Sequence, residues 1–320
     1  MSYPGLAQAG PYFFGSPMQI VLLGTAAGGG FPQWNCWCPT CRVARKDPGK
    51  ARPRTQSSVA VTADGERWFL LNASPDVREQ LASLSVHPPD GNRHVPVAGV
   101  VVTDAELDHT LGIVLLREGR RLRLYATCAV RRVLEEDSRL LPVTRAFAAV
   151  DVVELPAAGG PVSLDGTNGE ASGLTVETFT VPAGPPRFAS TALPGHTIGL
   201  VLRDASTGGA FAFVPGCGGL DESLLARIEK TNLVLFDGTF WTDDELIELG
   251  ISDRTARQMD HLPVSGPDGS LNRLSRLEGP RRVYTHINNT NPMLIEDSPE
   301  HAAVERAGLL VGRDGMRFEV

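Results

Sequence analysis

The stretch Val100-Val101-Val102-Thr103-Asp104-Ala105-Glu106-Leu107-Asp108-His109-Thr110-Leu111-Gly112 decides how the rest of the chain is read. Three β-branched residues in a row read as a buried strand. Directly after them Asp104, Glu106, Asp108 and His109 offer oxygen and nitrogen donors, and an apolar helix-like run continues to Arg117. A strand rising through a core presents such donors at a sheet edge, and a metal ion held there accounts for their density. The plainer alternative is an acidic helix start that complements the helix dipole.

Working outward, the same arrangement recurs. Residues 233–236 are a second buried run, ending in Asp237-Gly238-Thr239, and Asp237 reads as a site residue or a support for one. Residues 282–285 form a last core strand that delivers His286, followed by Asn288, Asn289 and Asn291, which are turn chemistry but also offer amide groups at the same edge. Upstream, a strand at 19–23 leads into Gly24 and Gly28-Gly29-Gly30. The spacing fits neither a dinucleotide fingerprint nor a phosphate loop, so these glycines serve a sharp turn or a close approach to a ligand.

Cys36, Cys38 and Cys41 then follow at C-x-C-x-x-C spacing, with Pro39 turning the chain back. Three thiols so placed converge on one tetrahedral ion, a structural Zn(II), whose fourth ligand comes from elsewhere in the chain. The alternative is a cluster of reduced surface thiols. Cys128 and Cys217 stand alone, and Cys128 is expected to be a small buried residue of a helix.

The remaining elements are ordinary. A hairpin is expected from 58–62 and 68–71 around Asp64-Gly65, and a helix starting at Ser74 as N-cap with Pro75 in its first turn. Residues 87–96 read as a loop with His87 and His94 exposed. A strand at 122–125, a helix at 127–137 and strands at 150–155, 174–181, 198–202 and 211–214 come next. Helices are expected at 221–230, 243–249, 271–277 and 299–307, the last with an exposed His301. His196 is either a ligand, a support for one, or a polar turn residue.

The totals bound the function. The chain has 320 residues, with 42% hydrophobic and 21% charged, as in an ordinary globular protein. A net charge of −7 without a basic, aromatic-interleaved patch argues against a nucleic-acid partner. No apolar run approaches the roughly 18 residues that span a bilayer. Residues 1–17 lack a basic start and a continuous apolar core, so they read as a flexible extension rather than a signal peptide. The clustered cysteines do not make a secreted disulfide framework, and the cytoplasm is the expected compartment. The chain alone leaves monomer and homo-oligomer both open.

Six segments carry a resemblance: GTAAGGGFPQWNCWCPTC (24–41), NASPD (72–76), LDHT (107–110), FDGTFWTDDE (236–245), HLPVSG (261–266) and HINNTNP (286–292). Together they resemble the metallo-beta-lactamase superfamily and, from Met18 onward, its family of pyrroloquinoline quinone biosynthesis proteins. The resemblance implies one α/β domain over 18–320, an αββα sandwich of two packed mixed sheets with helices outside and a metal site along one edge. The superfamily's hydrolases hold two zinc ions with His-x-His-x-Asp-His. Here Asp104 and Glu106 replace the two leading histidines, and Gly216-Cys217 stands where the bridging aspartate belongs.

Asp108, His109 and His286 remain, and two imidazoles with one carboxylate suit non-haem Fe(II). The resemblance therefore implies an Fe(II)-dependent oxygenase that hydroxylates the tyrosine ring of a glutamate–tyrosine cross-linked diamino acid. His261 would be a ligand or an acid/base. Asp104 and Glu106 would face the iron or the substrate amines, with Arg78 and Arg117 as candidate partners for its carboxylates. Asn289 falls where related phosphodiesterases place the fourth zinc ligand. Two other readings compete: a metallohydrolase of the phosphodiesterase kind, and a non-catalytic carrier of pyrroloquinoline quinone.

Overall fold

The computed structural model describes residues 16–84 and 92–320. Most of the expected N-terminal extension and the first half of the expected 87–96 loop, His87 included, lie outside the described residues. His94 is exposed, as expected.

Fourteen strands are described: β1 (Gln19–Gly24), β2 (Ser58–Thr62), β3 (Trp68–Leu71), β4 (Val97–Val101), β5 (Arg121–Thr127), β6 (Ala149–Leu155), β7 (Gly159–Asp165), β8 (Ala171–Thr180), β9 (Ile198–Asp204), β10 (Ala210–Val214), β11 (Leu233–Asp237), β12 (Arg281–Thr285), β13 (Leu310–Val311) and β14 (Arg317–Glu319). They form two seven-stranded mixed sheets, in the orders β14-β1-β2-β3-β4-β5-β6 and β13-β12-β11-β10-β9-β8-β7. Strands β3 to β6 run parallel, as do β10 to β13, and the remaining pairs are antiparallel.

The apolar runs are continuous because both faces of the central strands are covered. On β11, Leu233 and Leu235 enter the core between the sheets, while Val234 and Phe236 pack beneath helices on the outer face. On β2, Val59 and Val61 face the other sheet and Ala60 faces the outer helices. Each such fully buried side chain contributes about 1.5–3 kcal/mol of apolar burial. Helices therefore lie outside both sheets, and the αββα expectation holds.

Parallel strands put their C-terminal ends on one edge, where open α/β sheets bind ligands. β10, β11 and β12 run into Gly216, Asp237 and His286 there, and β4 runs into the opening motif.

Several local expectations need correction. The strand read from 100–102 is Val97–Val101. The helix placed from Ser74 begins at Val77 with Asp76 as N-cap; Ser74 instead sets the preceding turn, its Oγ accepting from the Asp76 N–H at 3.2 Å. The helix at 127–137 starts at Cys128 and widens into an i→i+5 turn closed by Ser138 N–H to Val133 O at 2.9 Å. Cys128 is exposed rather than buried. The stripe that packs inward is Ala129, Val130, Val133 and Leu134, and Cys128 lies off it. His301 is only 12% exposed and bonds the Met293 carbonyl. The edge strand β7 and the helix Leu140–Arg145 were not expected. Among the described residues no helix is long and apolar enough to cross a membrane.

Candidate metal centres

Asn72 splints the turn after β4. It adopts a left-handed backbone (φ 61°), and its side chain bonds the Thr103 N–H at 2.9 Å and the Thr103 hydroxyl at 3.0 Å. The Asp104 carboxylate then accepts from the Thr103 hydroxyl (2.8 Å), the Glu106 N–H (2.9 Å) and His109 Nδ1 (2.8 Å). Spent in this way, Asp104 orients His109 instead of facing a metal. The short helix Leu107–Thr110 carries Asp108 and His109 to the edge.

From the other sheet, β12 delivers His286 in a left-handed conformation (φ 53°), a strained backbone of the kind that clusters at functional sites. Its Nδ1 lies 2.8 Å from the Thr239 hydroxyl, which donates to Asp237 Oδ1 at 2.6 Å. Asp237 Oδ2 accepts from His261 Nδ1 at 2.7 Å and from the Cys217 N–H at 2.9 Å. Asp237 is fully buried and its bonds are all directed inward, so it too is a holder of a histidine.

Each of the three histidines is thus clamped at Nδ1, by Asp104, Asp237 or Thr239. Such clamps fix ring orientation and leave Nε2 as the free nitrogen. His286 Nε2 lies 3.3 Å and His109 Nε2 3.8 Å from Asp108 Oδ2. The ring of His286 meets His109 edge-on at 5.0 Å and stacks on His261 at 5.5 Å between centroids. His109 Nε2 is buried without a partner, which costs about 1–3 kcal/mol unless something binds it. A metal ion accepting Asp108, His109 and His286, whose donor atoms lie within 4.8 Å of one another, removes that cost. The donor set fits a single divalent ion.

Electrostatics agree with that fit. Burial opposes charge on Asp108, but the His109 and His286 imidazoles outweigh it and hold the carboxyl well below its ordinary range. Burial likewise opposes a charged His109, and Asp104 and Asp108 lift it to about 9. Glu106 has no such clamp; partial burial and the neighbouring Asp104 and Asp108 push it up to about 7, with Arg187 pulling the other way. The site opens into a cavity of about 260 Å³ lined also by Asp104, Glu106, Phe240 and Asp260. Gly216 lines it as well, and a Cβ there would meet nothing nearer than His261 Cε1 at 4.0 Å, so no bridging carboxylate occupies that place.

The cysteine loop forms a second group. The sulfurs of Cys36, Cys38 and Cys41 lie within 4.8 Å of one another, and all are free thiols. Cys38 caps the helix Pro39–Lys46, whose first turn brings Cys41 back beneath it. Arg45 braces the loop, donating to the carbonyls of Cys36 (2.7 Å) and Gln33 (2.5 Å). Hydrogen bonding from Cys41 and Thr40 lowers Cys38 to about 5 against burial, while Cys41 is pushed up. Asn289 reaches this group: its Nδ2 is 3.3 Å from Cys41 Sγ and 3.7 Å from Cys38 Sγ. A half-turn of the amide would present Oδ1 instead, since the two atoms are assigned by their bonding.

Other expected residues are not brought in. His196 is a buried turn residue bonded to the Thr191 carbonyl at 2.9 Å, apart from both groups. Arg117 stacks on Phe147 and Arg78 borders a separate groove near Leu115. Neither lines the cavity. Thr239, Asn72 and Phe240 (edge-on to His261 at 5.8 Å) were missed as site residues. All three lie in segments that carry the resemblance, 72–76 and 236–245, and Thr239 also stands two residues after a strand-end aspartate.

Residues 67–287 match the Beta-lactamase superfamily domain. Coenzyme PQQ synthesis protein B of Methylobacterium radiotolerans is 42% identical over 312 residues, covering 95% of this chain and all of its own. The protein of the same name from an Azoarcus species is 43% identical, over 93% of this chain and 99% of its own. Among solved structures, Zn(2+)-bound PqqB from Methylobacterium extorquens superposes with a TM-score of 0.84 at 38% identity, covering 94% of this chain and all of that one. A diphosphatase of the PhnP family shares the fold at 19% identity, with a TM-score of 0.65 over 95% of this chain and 98% of its own. With the sheet order, the clamped histidines and the cysteine loop, these likenesses mean that the chain belongs to the coenzyme PQQ synthesis protein B family of the beta-lactamase superfamily.

Proposed function

We propose that the chain is an Fe(II)-dependent hydroxylase of pyrroloquinoline quinone biosynthesis, acting on the tyrosine ring of a glutamate–tyrosine cross-linked diamino acid. The observation that carries this reading is the two-histidine, one-carboxylate set of Asp108, His109 and His286, with an open cavity beside it; a second such group, Asp237, His261 and His286, shares His286 with it and has its carboxylate bonded to His261. That set is favoured by non-haem iron that activates dioxygen. Iron bound there would supply dioxygen activation; the remaining chemistry belongs to the chain.

His261 is the acid/base in this reading. Its Nδ1–H donates to Asp237, so Nε2 is the basic atom and can take the phenolic proton. Burial disfavours the imidazolium that results, but Asp237 stabilises it and raises His261 above its ordinary value. Phe240 packs edge-on against the ring and limits water access on that side. Glu106, at the cavity wall, suits a substrate ammonium group. The three cysteines, with Asn289 as weak fourth donor, would hold a structural zinc that fixes the loop before the site.

The metallohydrolase reading requires a second metal. Asp104 is bonded to His109 and Gly216 stands at the bridge position, and the second donor group among the described residues, Asp237, His261 and His286, has to share His286 with the first. The test is anaerobic loading with Fe(II), followed by oxygen uptake and mass analysis with the diamino acid and a reductant. A mass gain of one oxygen atom per turnover is expected. No oxygen-dependent gain, with hydrolysis of a phosphodiester by the zinc-loaded protein, would overturn the proposal.

A further inference from the structure

A cavity of about 280 Å³ lies between residues 52–54 and 313–316 and shares no lining residue with the metal cavity or the cysteine group. Three of the residues around it are arginines: Arg52, Arg54 and Arg313.

Arg54 is the unusual member. Its backbone pairs with Phe31 in both directions, at 2.7 and 2.9 Å, and its side chain turns the other way, toward residue 312. It is only 4% exposed. Nη1 donates to the Gly312 carbonyl and, at 3.1 Å, to the Thr25 hydroxyl, whereas Nε and Nη2 are buried without a partner. Buried donors left unbonded bear the full cost of leaving water. Burial pulls Arg54 down to about 10 against the attraction of Asp314, so it remains a cation at neutral pH.

The nearest carboxylate is engaged elsewhere. Asp314, the one acidic residue lining the cavity, accepts from the Thr25 hydroxyl at 2.7 Å. Its other oxygen accepts from the Thr55 N–H at 2.6 Å and the Thr55 hydroxyl at 2.9 Å. Among the described residues no hydrogen bond joins it to Arg54. At the cavity mouth Arg52 and Arg313 share a single partner, Glu296 Oε1, at 2.8 and 3.8 Å. Three guanidiniums thus stand against two carboxylates, and the buried one has no carboxylate of its own.

Guanidiniums pair oxyanions through parallel charge-assisted hydrogen bonds. Several around one cavity favour a phosphate group, which carries about −1.5 to −2 at neutral pH, over a single carboxylate. No aromatic side chain lines the cavity, so nothing there would stack a nucleotide base.

We infer that this cavity is a phosphate site, for inorganic phosphate or a small phosphate monoester, gripped by Arg52 and Arg313 and neutralising Arg54 behind them. The inference does not rest on the hydroxylase reading. Thr25 links the site to the metal edge: its hydroxyl takes the Arg54 bond, and its carbonyl accepts from the N–H of Ile287 at 2.8 Å, next to His286.

Isothermal titration of the zinc-loaded full-length protein with inorganic phosphate, at an ionic strength fixed with sodium chloride, tests this. One site per chain is expected, with a melting temperature that rises with phosphate concentration. Arg52→Ser combined with Arg313→Ser should raise Kd at least about tenfold, with zinc retained and a near-wild-type melting temperature in phosphate-free buffer. Phosphate bound to an open metal position instead would be lost in His286→Ala; Kd in that variant should stay within about twofold. Glycerol 3-phosphate separates the two sources: tighter binding than phosphate points to a monoester, weaker binding to the free ion, and both support the site. No phosphate binding to the wild type, equal binding by the double variant, or loss of binding in His286→Ala would each overturn the inference.

Discussion

Asp104 meets His109 Nδ1 with both carboxylate oxygens at 2.8 Å, so that within the acidic run after β4 it faces the histidine while Asp108 faces the candidate metal position. Orienting carboxylates of this kind typically contribute 10–100-fold to metal affinity. Asp104→Ala is therefore expected to weaken binding at the Asp108–His109–His286 site by about 10–100-fold, measured by competition with a chelator. An undiminished affinity would show that His109 needs no holder.

His286 stands at the junction of both sides of the site, 3.3 Å from Asp108 and stacked on His261. His286→Ala is expected to abolish binding of the site metal and to leave one zinc per chain on the cysteine loop, read by elemental analysis. Loss of both metals together would mean that the two centres are one structural unit.

His261 is the more discriminating residue, because its Nδ1 contact with Asp237 allows either ligation or proton transfer at Nε2. As an acid/base, His261→Gln should keep iron stoichiometry near wild type while turnover falls about 10²–10⁴-fold. If iron is lost in the same proportion as turnover, His261 is a ligand.

What the sequence made legible follows from burial. Strands β4, β11 and β12 were readable as short apolar runs because helices cover one face and the other sheet covers the opposite one. β7 was invisible for the converse reason: its sequence begins Gly159-Gly160-Pro161, it sits at a sheet edge, and Leu164 is its only fully buried residue. The cluster of Asp104, Glu106, Asp108 and His109 pointed to the sheet edge where the candidate donors gather, but not to the division of labour within it. That division depends on Nδ1 contacts such as His261 to Asp237 and His286 to Thr239, which span 24 and 47 residues and carry no local signal. Cys128 was misplaced because its helix was recognised without its phase.

Asn289 touches Cys38 and Cys41 through an amide, a donor far weaker than the thiolates beside it. Asn289→Ala is thus expected to retain one zinc per chain but to release it to a chelator about tenfold faster. Complete loss of zinc on purification would make Asn289 an essential ligand, and unchanged release would leave it no role at the metal.

Glu245 ties the helix Glu245–Glu248 to the chain beside Asn289, accepting from the Trp241 N–H at 2.6 Å and from the Thr290 hydroxyl. Burial pushes its carboxyl up to about 7 from 4.5, the hydrogen bonds from Thr290 and Trp241 only partly opposing it. The native state therefore keeps a proton that the unfolded chain has lost between those two values. Its contribution to stability is full below about 4.5 and falls as pH rises through about 7. Glu245→Gln keeps both hydrogen-bonding positions and cannot ionise. At pH 5 the variant and the wild type should melt at similar temperatures, whereas at pH 8 the variant should melt higher. Parallel melting curves across that range would mean that Glu245 is already ionised in the folded protein, stabilised there by the Thr290 and Trp241 contacts.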